Sequence, residues 1–340
     1  MAGSGGALAG PAAIEIEAGD CSVQNLVPPS DAQRLEGIAF STSGNILAVA
    51  TADTDTVLLY RRKPGGRFED APYSTISGPA SKLDYPHDLA FSVSGDSELL
   101  AVALRGGSVS IFRRNAAADD FGIAPVFEIR GAEAKLKFSD GVAFVPPAHK
   151  FLATCNVATS KINFYRKAAT ASFGFGLQPV YRLKHASVQG PDGLAFSDCG
   201  KWLAVANHGN HTVGIYRRRR LIFSRRKVKY GPKPVTVIRD PGLRYPHSVA
   251  FTPKTNHLVV TNAGANYFSV YRPERHGLAM RWSQSPVLKK ILGLDDSFKQ
   301  VNMRNKMEGG PKGVAIHRNN LAVCGPEHGI KIYAFREGAK

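Results

Sequence analysis

The sequence predicts an all-β fold: a six-bladed β-propeller with four antiparallel strands per blade, its N-terminal strand closing the last blade. Three observations predict it. One phrase recurs six times, its copies fall about one blade apart, and the last copy lacks a fourth strand that the N-terminus can supply.

The phrase runs EGIAFSTSGNILAVAT, HDLAFSVSGDSELLAVAL, DGVAFVPPAHKFLATCN, DGLAFSDCGKWLAVAN, HSVAFTPKTNHLVVTN and KGVAIHRNNLAVCG. Its anchors are Phe40, Phe91, Phe144, Phe196, Phe251 and Ile316, at intervals of 51, 53, 52, 55 and 65 residues. This period is too long for ankyrin or tetratricopeptide units and suits one four-stranded blade.

Within each copy, strand A is the short GVAF-type run. A polar turn such as STSGN or SDCGK leads to strand B, the LAVA run. A second turn, HGNH in the fourth copy, leads to strand C, whose TVGIY alternates apolar and polar positions as a half-buried strand does. Strand D follows a longer loop as PVFEIRG, PVYRLKH, PVTVIRD or PVLKKIL, with proline at a strand start, where a missing N–H is tolerated. Strands A and B read as nearly continuous apolar runs, the pattern of inner strands buried on both faces.

The sixth copy supplies A, B and C only. Residues 13–27 hold two spare strand-like segments, AIEIEAG and CSVQNLV, either of which can pair with that open edge. The expected organisation is a flexible N-terminus (1–12), one propeller domain (13–337) and a short tail (338–340).

A hydrophobic content of 43% is enough for a real core. No apolar run reaches the roughly 18 residues that read as a membrane span. The N-terminal MAGSGGALAGPAA has no basic n-region, which argues against a secretory signal. Cys21, Cys155, Cys199 and Cys324 show no metal-ligand spacing and are expected as free thiols in a cytoplasmic, monomeric protein. The net charge of +17 favours an anionic partner without naming it.

The stretches GPDGLAFSDCGKWLAVANHGNHTVGIYRR and YPHDLAFS resemble the repeat of the YVTN and lactonase-type propellers, and resemble the NHL and regucalcin/gluconolactonase-like families as well. The resemblance spans residues 30–336. It implies a propeller fold and leaves activity open, because these families hold lactonases, metal-dependent hydrolases and non-enzymatic scaffolds. WD and Kelch hallmarks are absent.

Strands alternate direction, so D–A connections and B–C turns share one face. The residue two before the apolar pair of strand A lies at the channel mouth there. It reads Glu36, His87, Asp140, Asp192, His247 and Lys312. Gly37, Gly141, Gly193 and Gly313 follow in four copies, permitting close backbone approach, with Asp88 and Ser248 in the other two. Strand B ends on the same face with Asn156, Asn207 and Asn262 in blades three to five. Glu36, Asp88, Asp140, Asp192, Asn207 and Lys312 are therefore candidate ligand contacts. Asp140, Asp192, Asn156, Asn207 and Asn262 are a candidate set for a hard cation, Ca²⁺ or Mg²⁺, while histidine beside carboxylates also suits a transition metal. The gluconolactonase-like resemblance implies a catalytic divalent ion that polarises a lactone, with His87 or His247 managing protons. The competing reading is structural: Asp and Asn at strand ends bond their own turns, and Glu36 pairs with Lys312 across the ring closure.

Residues 292–311, the insertion before the last blade, are a candidate lid on this face or a solvated loop. On the opposite face each strand C ends in basic residues. Blade four extends them as Arg217, Arg218, Arg219, Arg220, Arg225, Arg226, Lys227 and Lys229, a candidate polyanion site or a set of solvated loop ends. Two function classes follow: a non-enzymatic scaffold that holds a small molecule or protein at the mouth, with an anionic partner on the basic face, and a metal-assisted lactonase. A carbohydrate-binding propeller ranks third, because only Trp202 and Trp282 are present as tryptophans.

Overall fold

Each copy of the repeat folds as one antiparallel sheet in the computed structural model, which describes residues 14–16, 23–115, 119–168, 173–219, 228–292 and 308–338. Blade one comprises Leu35–Phe40, Ile46–Thr51, Thr56–Arg61 and Ser74–Ile76, hydrogen-bonded in the order A–B–C–D. Blades two to five repeat that order, with A strands Pro86–Ser94, Ser139–Phe144, Pro191–Phe196 and Pro246–Phe251. Blade six has Gly313–His317, Asn320–Gly325 and Gly329–Glu337.

The sheets close into a ring, and the core shows how. Six buried apolar clusters each join two adjacent blades. Leu47, Val49 and Tyr60 of blade one pack with Ala322, Ile330 and Ile332 of blade six, while Ala48, Ala50 and Leu59 of the same strands pack with Leu89, Leu100 and Val102 of blade two. Alternate residues of one strand thus serve opposite interfaces, which is why strand B is apolar throughout instead of alternating with polar residues.

Both N-terminal candidates close blade six. Val23–Leu26 pairs with Ile330–Tyr333, and Ile14–Ile16 pairs further along the same strand with Phe335–Glu337. Gln24 also exchanges two hydrogen bonds with the Phe68 backbone of blade one, at 2.7 and 2.8 Å. The closing strand therefore holds blade one as well as blade six.

An aromatic collar was not foreseen. In blades one to five the anchors Phe40, Phe91, Phe144, Phe196 and Phe251 pack on Phe68, Phe121, Phe175, Tyr230 and Trp282 of the connections following strand C, at ring separations of 5.5–6.2 Å. The sequence signal is an aromatic residue six to twelve positions after the basic residues that end strand C. Trp202 and Trp282 are both buried and meet edge-to-face at 5.2 Å, so neither offers the exposed platform a sugar would need. Cys155 and Cys324 are buried and Cys199 exposed, all three as free thiols, and Cys21 lies outside the described residues.

Candidate functional site: the axial cluster and channel mouth

The first five A strands each carry a register irregularity at their start, between Leu35 and Ile38 in blade one and at the matching positions of blades two to five. Such a bulge re-aims a side chain. The residues in that column are Glu36, His87, Asp140, Asp192, His247 and Lys312, and all six are buried. Glycine beside them allows the ring to tighten: a Cβ on Gly193 would lie 2.4 Å from the His247 carbonyl oxygen, and one on Gly313 would lie 2.7 Å from that of Glu36.

Glu36 is the hub. Lys312 Nζ donates to both its carboxylate oxygens at 2.8 Å, and Arg34 Nε donates at 2.9 Å. His247 Nε2 lies at 3.2 Å and His87 Nε2 at 3.6 Å. Burial would push the Glu36 carboxyl up, but the Lys312 ammonium, helped by hydrogen bonding from His247, outweighs it and holds it well below the usual range. Lys312 is likewise raised, because Glu36 and Glu308 outweigh its burial. Glu308 in turn accepts from His208 Nε2 at 2.9 Å. The expected Glu36–Lys312 pair thus exists, within a wider network.

The rest of the cluster is short of positive charge. His87 lies 3.7 Å from Asp192 and 4.0 Å from Asp140, and Arg105 lies 3.5 Å from Asp140. Burial pushes the Asp140 carboxyl up to about 6 against the pull of Arg105. Burial and the neighbouring Asp140 raise Asp192 well above the ordinary value. Asp88 accepts from the Val142 N–H at 3.0 Å, and burial raises it to about 7. Burial keeps both imidazoles neutral, with His87 lowered well below its usual value and His247 lowered to about 4. The two rings stack at 4.9 Å. Glu36, Gly37, His87, Asp88, Asp192, Gly193, His247 and Ser248 close around a gap too narrow to hold a water-sized molecule.

The asparagines sit on the expected face, opposite the A-strand starts, where Asn207 and Asn262 turn their amide oxygens to the backbone and the Asn156 oxygen is buried without a partner. Asn207 Oδ1 accepts from Gln189 N at 3.3 Å, Asn262 Oδ1 accepts from Arg244 N at 3.2 Å, and Asn156 Nδ2 donates to the Lys135 carbonyl.

Above the cluster lies a column the sequence reading missed, two residues before the axial one. Tyr85, Phe138 and Tyr245 adopt left-handed φ values of 56°, 58° and 50° there. Bulky residues rarely do so, and such strain concentrates at ligand clamps. Each carbonyl in this column receives an N–H from the turn after strand B, for example Arg105 N to Tyr85 O at 3.0 Å and Ala263 N to Tyr245 O at 3.0 Å. Tyr85 stacks on His87, with the Arg34 and Arg105 guanidiniums 4.7 and 5.7 Å from its ring centre. Tyr245 packs against His208 and His211. Phe138 and Arg244 are exposed. The mouth therefore combines aromatic surface with cations.

On the opposite face the basic doublets stitch turns together. Arg218 donates to the Pro146 carbonyl of blade three at 3.1 Å, Lys167 to Ser94 of blade two, and Arg62 to the Gly44 carbonyl at 2.8 Å. Of the blade-four run, Arg217, Arg219 and Lys229 are exposed, while Arg220, Arg225, Arg226 and Lys227 lie outside the described residues. Most of the candidate lid also lies outside them. Its described end contributes Glu308 to the network.

No protein-family model matches the chain, and no curated protein matches it. Solved structures do. The β-propeller domain of Myceliophteria thermophila Cps50 (Swd1) is 14% identical at a TM-score of 0.56, covering 92% of this chain and 99% of that one. Virginiamycin B lyase from Staphylococcus aureus is 11% identical at 0.52, covering 95% and 99%. A Bacteroides uniformis protein described as a candidate 6-phosphogluconolactonase is 13% identical at 0.56, covering 92% and 83%. At these identities the likeness shows the propeller fold alone, and the names agree on no single activity.

Proposed function

We propose that this propeller is a non-enzymatic binding protein that takes an anionic partner, an acidic peptide segment, across its channel mouth. The observation that supports this most is that Glu36, the hub of the axial cluster, is already compensated. Glu36 is already bonded to Lys312 and Arg34, and both candidate proton carriers are buried, stacked and neutral beside a cleft too small for a lactone-sized substrate. A partner therefore lies over the cluster and not within it. Arg105, Arg244, His208 and His211, with Tyr85, Phe138 and Tyr245 between them, suit carboxylates interleaved with an aromatic or aliphatic side chain.

The test is fluorescence anisotropy with a labelled heptapeptide of Glu and Asp around a central Phe. The protein is expected to bind it with an affinity that falls as salt rises. Replacing Arg105 and Arg244 with Ser is expected to weaken binding about tenfold or more, the loss of two charge-assisted contacts. Unchanged affinity in that variant, or no binding at low salt, overturns the proposal.

One observation favours the metal-assisted reading. His87 Nε2 and Asp140 Oδ1 are buried without hydrogen-bond partners, and the ligand atoms of Glu36, His87 and His247, and of His87, Asp140 and Asp192, converge within 4.8 Å. The donors do not fit Ca²⁺ or Mg²⁺, however. Those ions want oxygen ligands, whereas imidazole enters both groups and the Asn207 and Asn262 amide oxygens face the backbone. The Lys312 ammonium already sits on Glu36.

A further inference from the structure

The face opposite the mouth holds a second concavity, of about 550 Å³, lined by Asp198, Phe251, Pro253, Lys254, Ile316, His317, Arg318 and Asn319. These residues belong to the A strands and A–B turns of blades four, five and six. The volume falls in the range typical of small-molecule sites.

The repeat explains why the hollow lies here. In blades one to five an aromatic anchor is covered by a second aromatic from the connection between strands C and D. Blade six departs from this twice. Its anchor is Ile316, and its D strand is the N-terminal Val23–Leu26, so the chain does not run from its C strand to its D strand beneath that anchor.

The lining has a directional chemistry. Lys254 and Arg318 are exposed on neighbouring turns, and neither forms an ion pair among the described residues. Arginines that follow strand C on this face are instead engaged: Arg62, Arg114, Arg218 and Arg272 all bond to carbonyls or carboxylates. Arg318 is held at the tip of its turn with a φ of 52°. The Lys254 backbone is fixed by its N–H bond to Glu337 at 3.1 Å. Phe251, Pro253 and Ile316 offer an apolar floor, and Asp198 and Asn319 offer acceptors for hydroxyl groups.

We infer that this pocket binds an organic phosphate monoester with a hydroxylated ring. The phosphate lies between Lys254 and Arg318, whose compact ammonium and planar fork suit it. The ring lies over Phe251 and Ile316, and its hydroxyls face Asp198 and Asn319. This site is independent of the mouth, which lies on the other face.

Isothermal titration of the full chain with AMP and glucose 6-phosphate tests it, with adenosine, glucose and inorganic phosphate as controls. At least one ester is expected to bind more tightly than its neutral parent and than inorganic phosphate. Lys254→Gln with Arg318→Gln is expected to weaken that ester about tenfold or more. Ile316→Phe restores the anchor that the other blades carry, so it is expected to fold normally and to abolish binding by filling the pocket. Arg105→Ser with Arg244→Ser is expected to leave it unchanged. The inference is overturned if neither ester binds, if inorganic phosphate or the neutral parent binds as tightly as the better ester, if binding survives in the Lys254/Arg318 or Ile316 variants, or if the mouth variant removes it.

Discussion

Replacing Lys312 with Met is expected to destabilise the protein by about 3–5 kcal/mol at pH 7, the cost of leaving one member of a buried ion pair without its partner. Lys312 is 1% and Glu36 0% exposed, so water cannot take over the role of the lost ammonium. Arg34 and the neutral imidazoles would remain near Glu36, and its carboxyl would move up toward protonation. The sign of the pH dependence follows. In the native protein the Glu36 pKa is depressed, so the stability it contributes is present above the unfolded carboxylate value and lost as pH falls through the folded one. In the variant that contribution is gone, so the gap between the two proteins is widest at neutral pH and narrows in acid. Urea unfolding at pH 7 and pH 4 measures both. Adding Glu36→Gln to Lys312→Met is expected to recover much of the loss, because the stranded charge is then removed too. A loss under about 1 kcal/mol for Lys312→Met, the range of an exposed pair, would contradict the burial described above.

Deleting residues 1–27 is expected to have the second large effect. It removes both N-terminal strands that pair with Gly329–Glu337, together with the Gln24 bonds to blade one. The exposed edge is a template for pairing with another chain, and the blade-one and blade-six core loses Leu26. The truncated protein is expected to elute as aggregate in size-exclusion chromatography and to lose its cooperative thermal transition. A monodisperse variant that melts like the full chain would show that the ring does not depend on this closure.

The fold was legible because the repeat is legible. Six apolar phrases at near-constant spacing leave few alternatives, and the missing D strand pointed to the N-terminus. What remained open was which spare segment pairs, and the answer is both, one after the other along the long strand Gly329–Glu337. The axial column was legible for the same reason: a single repeat position carrying Glu36, His87, Asp140, Asp192, His247 and Lys312 converges on the axis of any six-fold ring. Which of these residues bond to one another was not legible. The bidentate Lys312 contact, the stacking of His87 on His247 and the use of Glu308 are set by side-chain reach across the channel, and strand periodicity does not encode reach. Nor did the pattern reveal that Tyr85, Phe138 and Tyr245 take left-handed backbone, since nothing in an aromatic residue advertises a positive φ. The collar of Phe68, Phe121, Phe175, Tyr230 and Trp282 was visible in principle and hidden by the variable length of the connections that carry it.

The most direct measurement is the metal content of the purified full chain, with thermal unfolding across a panel of divalent cations from Mg²⁺ and Ca²⁺ to Mn²⁺ and Zn²⁺. A cluster whose central carboxylate is already held by Lys312 and Arg34 binds none of them in stoichiometric amount, and the melting temperature stays constant across the panel. One metal per chain that stabilises the fold and disappears in His87→Ala or Asp140→Ala would contradict the account and make the axis a reaction centre.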